Sequence, residues 1–185
     1  ASAGNIAIKK VTLSIDKKAI VTGDTFTVTA KISPKNATYR SFTWSIEHSK
    51  TSSVRQVSKN KFKAVKTGEA TIVAYQKDAN KKYRLKVVVL EPLGEFHIDE
   101  GGKKVTSLST YPGGHLIIRA AVVKDYLYDD EELLSLVKFS VENKKIARID
   151  ERGQITALKA GKTRIIVTAG NGKSESCVPY YWHYY

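Results

Sequence analysis

The chain has 185 residues, 42% hydrophobic and 26% charged, with no methionine and a single cysteine, Cys177. That composition reads as a globular, soluble chain; no apolar run approaches the roughly 18 residues that span a bilayer, and one cysteine excludes an intrachain disulfide and a Cys-based metal site. Its formal net charge of +13 is unevenly shared, residues 1–91 carrying 18 Lys and Arg against 6 Asp and Glu, and residues 92–185 carrying 13 against 12.

In chain order, apolar residues alternate with polar ones from the start. Val11, Leu13 and Ile15 lead, followed by Phe26, Val28, Ala30 and Ile32, then Phe42, Trp44 and Ile46. Phe62 and Ala64, Ala70 to Ala74, and Tyr83 to Val89 keep the same period of two. That period predicts strands with one buried and one wet face. Turn signals separate them at Thr22-Gly23-Asp24, Ser33-Pro34-Lys35-Asn36, Lys66-Thr67-Gly68 and Asp78-Ala79-Asn80. Six or seven short strands in some 85 residues predict an antiparallel sandwich. Trp44, in phase with Phe42 and Ile46, is expected inside as a large core residue. After Leu90-Glu91-Pro92-Leu93-Gly94 the pattern resumes with Leu116 to Val122, Val137 to Val141 and Ile165 to Ala169. So short a linker, with a proline, predicts two sandwiches joined end to end as a semi-rigid rod.

The second stretch answers the first in detail. Phe62-Lys63-Ala64-Val65-Lys66-Thr67-Gly68-Glu69-Ala70-Thr71-Ile72 returns 93 residues later as Ile155-Thr156-Ala157-Leu158-Lys159-Ala160-Gly161-Lys162-Thr163-Arg164-Ile165. Gly23 to Val28 is echoed by Gly113 to Ile118, and Trp44-Ser45-Ile46-Glu47 by Phe139-Ser140-Val141-Glu142. A period this long suits a self-sufficient domain, so two are expected, over 6–91 and 92–180. Gly68 and Gly161 lie where a reversal before a strand calls for positive φ. Sixteen residues separate Val122 from Phe139, against eleven between Ile32 and Trp44. The surplus, around Asp125 to Leu134, is the one stretch suited to a helical turn.

Gly23-Asp24-Thr25 before a strand, Pro34-Lys35-Asn36-Ala37, Thr43-Trp44-Ser45 and Lys66 to Ile72 together resemble the group 2 bacterial immunoglobulin-like domains. In the second copy the likeness rests on Phe139-Ser140, Ile146-Ala147, Gly153 to Ala157 and Lys159 to Val167, without the Trp and the Pro-x-Asn-Ala turn. The resemblance implies an all-β fold of two immunoglobulin-like antiparallel β-sandwiches in tandem. It also implies a secreted or cell-surface bacterial protein, since such modules build the stalks of intimin- and invasin-type adhesins. The start Ala1-Ser2-Ala3-Gly4, with no initiator Met, resembles the mature end left by signal-peptide removal and equally a cut elsewhere in a longer chain.

No constellation for catalysis is evident. His48, His97, His115 and His183 fall in no metal-ligating spacing, and no nucleophile elbow, P-loop or dinucleotide fingerprint occurs. A non-enzymatic chain without cofactors is expected. Three other features stand out. Lys31, Lys61 and Lys63 are expected to point outward from neighbouring strands, with Arg84 and Lys86 outward from the last strand on the other sheet, as candidates for anion binding. The competing reading of such lysines is that they keep exposed strands soluble and edges unpaired. Asp129-Asp130-Glu131-Glu132 is a weak candidate for a hard cation, and fits the acidic first turn of a short helix at least as well. Tyr181, Tyr184 and Tyr185 are candidates for an aromatic partner surface, while Val178, Tyr180 and Trp182 alternate as a continuing strand.

Two functions emerge as expectations. The first is a spacer and adhesion module whose partner is a protein or glycan at the cell surface. The second is a carbohydrate- or anionic-polymer-binding module attached to a larger secreted enzyme. A nucleic-acid partner is disfavoured, because basic residues interleaved with aromatics on one platform are not evident.

Overall fold

The computed structural model describes residues 4–111, 113–122, 124–169 and 175–182. The chain divides into two compact units, Ala1–Pro92 and Leu93–Tyr185.

The first unit holds β1 (Lys10–Ile15), β2 (Ile20–Val21), β3 (Thr25–Ser33), β4 (Thr43–Ile46), β5 (Val54–Ser58), β6 (Lys61–Ala64), β7 (Gly68–Gln76) and β8 (Lys81–Leu90). They form two sheets, in the orders β1-β3-β6-β5 and β2-β8-β7-β4. Neighbours pair antiparallel except β2, which runs parallel to β8 through Ile20↔Val89 and Val21↔Leu90. The alternation read from the sequence decides which face of each strand is inside. Phe26 and Phe62, fully buried, oppose each other across β3 and β6 and stack with ring centroids 5.9 Å apart. Ile72 and Val87 meet them from the facing sheet, and each such apolar side chain contributes about 1.5–3 kcal/mol on burial. Trp44 packs against this core from its margin and stays half-buried.

The second unit holds β9 (Phe96–Glu100), β10 (Lys103–Lys104), β11 (Leu108–Thr110), β12 (His115–Val122), a 3₁₀ turn at Asp125–Leu127, α1 (Asp130–Leu136), β13 (Val137–Val141), β14 (Ala147–Ile149), β15 (Gln154–Ala157), β16 (Gly161–Ala169) and β17 (Glu175–Trp182). Its sheets run β10-β9-β12-β15-β14 and β11-β17-β16-β13. With β10 set aside, this is the connectivity of the first unit strand for strand, including a short parallel pair, here β11 with β17. Both additions sit where the repeat is lengthened. Gly101 and Gly102, with φ of 60° and 82°, make the two-residue turn that joins β9 to β10, a geometry that suits glycine at both positions. The surplus after Val122 becomes the 3₁₀ turn and α1. Gly68 and Gly161, at φ of 126° and 153°, hold equivalent places at the start of β7 and β16. Each lets the chain reverse direction before the strand begins.

Candidate functional site

The outer face of the β1-β3-β6-β5 sheet is built by simple alternation. With Phe26, Val28 and Ile32 inward, Thr25, Thr27, Thr29, Lys31 and Ser33 of β3 face out. Register then places Lys63 beside Thr25 and Lys61 beside Thr27. On the next strand Arg55 stands directly opposite Lys63. On the other flank Thr12 of β1 stands opposite Lys31, and Lys10 opposite Ser33. Lys31, Lys61 and Lys63 therefore share one face, together with Arg55 and Lys10, which sequence reasoning did not select. Arg55 was missed because β5 is exposed at four of its five positions, so it shows no apolar period.

The outward strand positions of β1, β3 and β6, with Arg55 on β5, carry hydroxyls and cations and no carboxylate. Two acids adjoin these strands: Asp16, just past β1, accepts the backbone N–H of Thr27 at 2.9 Å, and Asp24, just before β3, accepts the backbone N–H of Val21 at 3.0 Å. Among the described residues, none of these five cations forms an ion pair.

Arg84 and Lys86 behave differently. They lie on β8, on the outer face of the other sheet, and each has an acid beside it. Arg84 Nε donates to Glu47 Oε1 at 2.6 Å, and Lys86 Nζ lies 3.3 Å from Glu69 Oε2. The hydrogen bond from Arg84 holds the Glu47 carboxyl below its ordinary value. Both pairs are exposed, so they add little stability, but they neutralise these two cations locally. A shallow groove of about 520 Å³ runs beside the first pair, lined by Thr43, Ser45, Glu47, Val73, Tyr75 and Arg84 among others. It contains no histidine or cysteine to serve as base or nucleophile.

The acidic run is occupied by structure. Asp129 caps α1, its Oδ1 accepting the Glu132 N–H at 2.7 Å while Glu132 Oε1 accepts the Asp129 N–H at 3.0 Å. Asp130 to Glu132 fill the first turn, where carboxylates complement the helix dipole. Glu131 also bonds Arg152 Nη2 at 3.0 Å and raises the affinity of that guanidinium for its proton. Among the described residues no group of three or more His, Cys, Asp or Glu is placed to hold a metal.

In the aromatic tail, Tyr180 and Trp182 point inward, 0% and 6% exposed. Tyr181 faces the other way, with Lys162 Nζ 5.4 Å from its ring centre, so its face is partly covered by a cation–π contact. Tyr184 and Tyr185 lie outside the described residues.

The geometry defines a pair of immunoglobulin-like β-sandwiches, the first carrying a hydroxyl-rich cationic sheet face. The bacterial Ig-like domain (group 2) model matches residues 7–87 and 122–178, and the chain belongs to that family. An uncharacterized protein of Clostridium acetobutylicum is 26% identical over 172 residues, 92% of this chain and 17% of its own length. The chain thus spans about a sixth of that relative. Among solved structures, domains 1–6 of the surface layer protein SbsC align over 97% of this chain and 28% of their own, at 15% identity and a TM-score of 0.37. Invasin, described as a bacterial integrin-binding protein, aligns over 94% and 39%, at 11% identity and 0.37. Among the described residues no helix is long and apolar enough to cross a membrane.

Proposed function

We propose that this chain is part of a secreted or cell-surface bacterial protein, in which its two units act as spacer and binding modules without catalysis. Family membership supports the setting. The observation that carries the binding role is the contrast between the two sheets of the first unit. Among the described residues, one sheet's outward cations at Arg84 and Lys86 are neutralised by neighbours, Lys82 beside them being in no ion pair, while Lys31, Lys61 and Lys63 of the other sheet all lack one. With a net of +12 on residues 1–91, the first unit suits an anionic polymer, and the nearly neutral second unit suits spacing.

In a second reading the same units fasten a larger secreted enzyme to its substrate. Its support is the length of the clostridial relative, of which this chain covers only 17%. A catalytic domain elsewhere in the full-length protein selects that reading.

Antibodies raised against the chain test the location. Labelling of intact cells of the producing bacterium, or recovery from the culture medium, is expected. Labelling only after lysis contradicts the proposal.

A further inference from the structure

We infer that the outer face of the β1-β3-β6-β5 sheet is a track for a linear, flexible polymer bearing tetrahedral oxyanions, laid from Arg55, Lys63 and Lys61 toward Lys31. The ligand class is a sulfated glycan or a phosphodiester-linked polyol. This deepens the proposal above and rests on it.

Four observations place the track here. First, solubilising an edge explains lysines on edge strands, and β1 and β5 are the edges of this sheet. Lys61 and Lys63 lie on β6, which pairs with β3 on one side and β5 on the other, where no edge needs guarding, while Lys31 lies on β3 beyond the stretch that β6 pairs. Second, Arg55 and Lys63 are directly cross-strand. Like charges so placed repel and cost stability, a cost that a bound polyanion removes.

Third, the second unit supplies an internal comparison. Thr25↔Lys63 and Thr27↔Lys61 correspond by register to His115↔Thr156 and Ile117↔Gln154. Counting along β12 from His115 puts Ala121 where the first unit has Lys31. The same fold is thus built with Thr, Gln and Ala at these three positions, so the sandwich does not need lysine there. Fourth, the space between the cations holds Thr27 and Thr29, hydroxyls that can donate to further oxyanion oxygens.

The layout selects among anions. Six residues of β3 and two strand spacings separate the Arg55–Lys63 corner from Lys31, about 20 Å along the strands. Cations spread along an open strand surface hold a lone phosphate or sulfate weakly, because no cavity makes them converge. A polymer with recurring charges meets them in succession and releases its counterions. No outward position of β1, β3 or β6 is aromatic, so unstacked bases find no platform, which disfavours single-stranded nucleic acid.

The test uses the full chain and measures affinity for four probes: size-fractionated heparin oligosaccharides, a glycerol-phosphate polymer, inorganic sulfate and single-stranded DNA. The triple variant Lys31→Gln, Lys61→Gln, Lys63→Gln is compared with Lys50→Gln, Lys77→Gln, Lys81→Gln, which removes the same charge from exposed positions elsewhere. The track triple should lose at least about tenfold at low salt, with a salt slope shallower by about two. The control triple should lose no more than about threefold, from the weaker general field. Affinity should rise with oligosaccharide length until the chain spans about 20 Å. Inorganic sulfate should not compete. Stronger binding of the heparin or of the glycerol-phosphate polymer identifies the source of the oxyanion, and either supports the track. Retained affinity in Lys31→Arg, Lys61→Arg, Lys63→Arg shows that charge, not folding, is being read. Equal losses in the two glutamine triples overturn the track while leaving polymer binding by the first unit in place. No binding by the unaltered chain overturns both, and preference for single-stranded DNA overturns the ligand class.

Discussion

Tyr180 is fully buried in the second sandwich, and among the described residues its hydroxyl has no hydrogen-bond partner. A buried hydroxyl left unpaired costs about 1–3 kcal/mol of desolvation, so the ring holds this position by packing and the oxygen opposes it. Tyr180→Phe should leave stability unchanged or raise it by up to about 1 kcal/mol in a urea titration. A loss larger than that contradicts the reading. Burial also pushes the phenol above its ordinary 10.0. With the folded value above the unfolded one, the native state keeps a proton that the unfolded chain releases. Stability from this group is therefore fully present below pH 10 and declines as pH rises further. Tyr180→Phe should flatten that alkaline decline. An unchanged profile would show that other groups set it.

Among the elements, α1 is the one α-helix of the described residues, and its acids act in its own folding. Asp129→Ala should remove the capping box and lower stability by about 1 kcal/mol, while millimolar calcium should not change the melting temperature. A calcium-dependent rise that vanishes in Asp129→Ala contradicts this account.

The strands differ in how plainly the sequence announces them. β3, β7 and β16 keep a strict inner face, from Phe26 to Ile32, Ala70 to Ala74 and Thr163 to Ala169, and so are read directly. β2 and β11 have two and three residues, too short for any period, and their parallel pairing with β8 and β17 depends on distant chain. β5 leaves only Val54 buried, so its place at the sheet edge was unreadable, and Arg55 with it. The pairing of Arg84 with Glu47 was equally hidden, because it joins residues 37 apart on different strands. Outward direction comes from the period of two; the neighbour that meets an outward side chain comes only from register.

At the scale of the whole chain, one fold is used twice with different surfaces. The strand order is repeated, while charge, the β10 addition and α1 distinguish the copies. Duplication of a stable sandwich leaves outer faces free to diverge, since inward residues alone decide the core. The proposed track lies on a face of the first unit, where Lys31, Lys61 and Lys63 point outward. The most direct test is a heteronuclear NMR titration of the intact chain with a heparin oligosaccharide long enough to span about 20 Å. The account predicts amide shift changes concentrated in Thr25–Ser33, Lys61–Ala64 and Val54–Ser58. Residues 93–182 and the strand bearing Arg84 and Lys86 should stay unmoved. Shift changes centred on β8, or in the second unit, would contradict it.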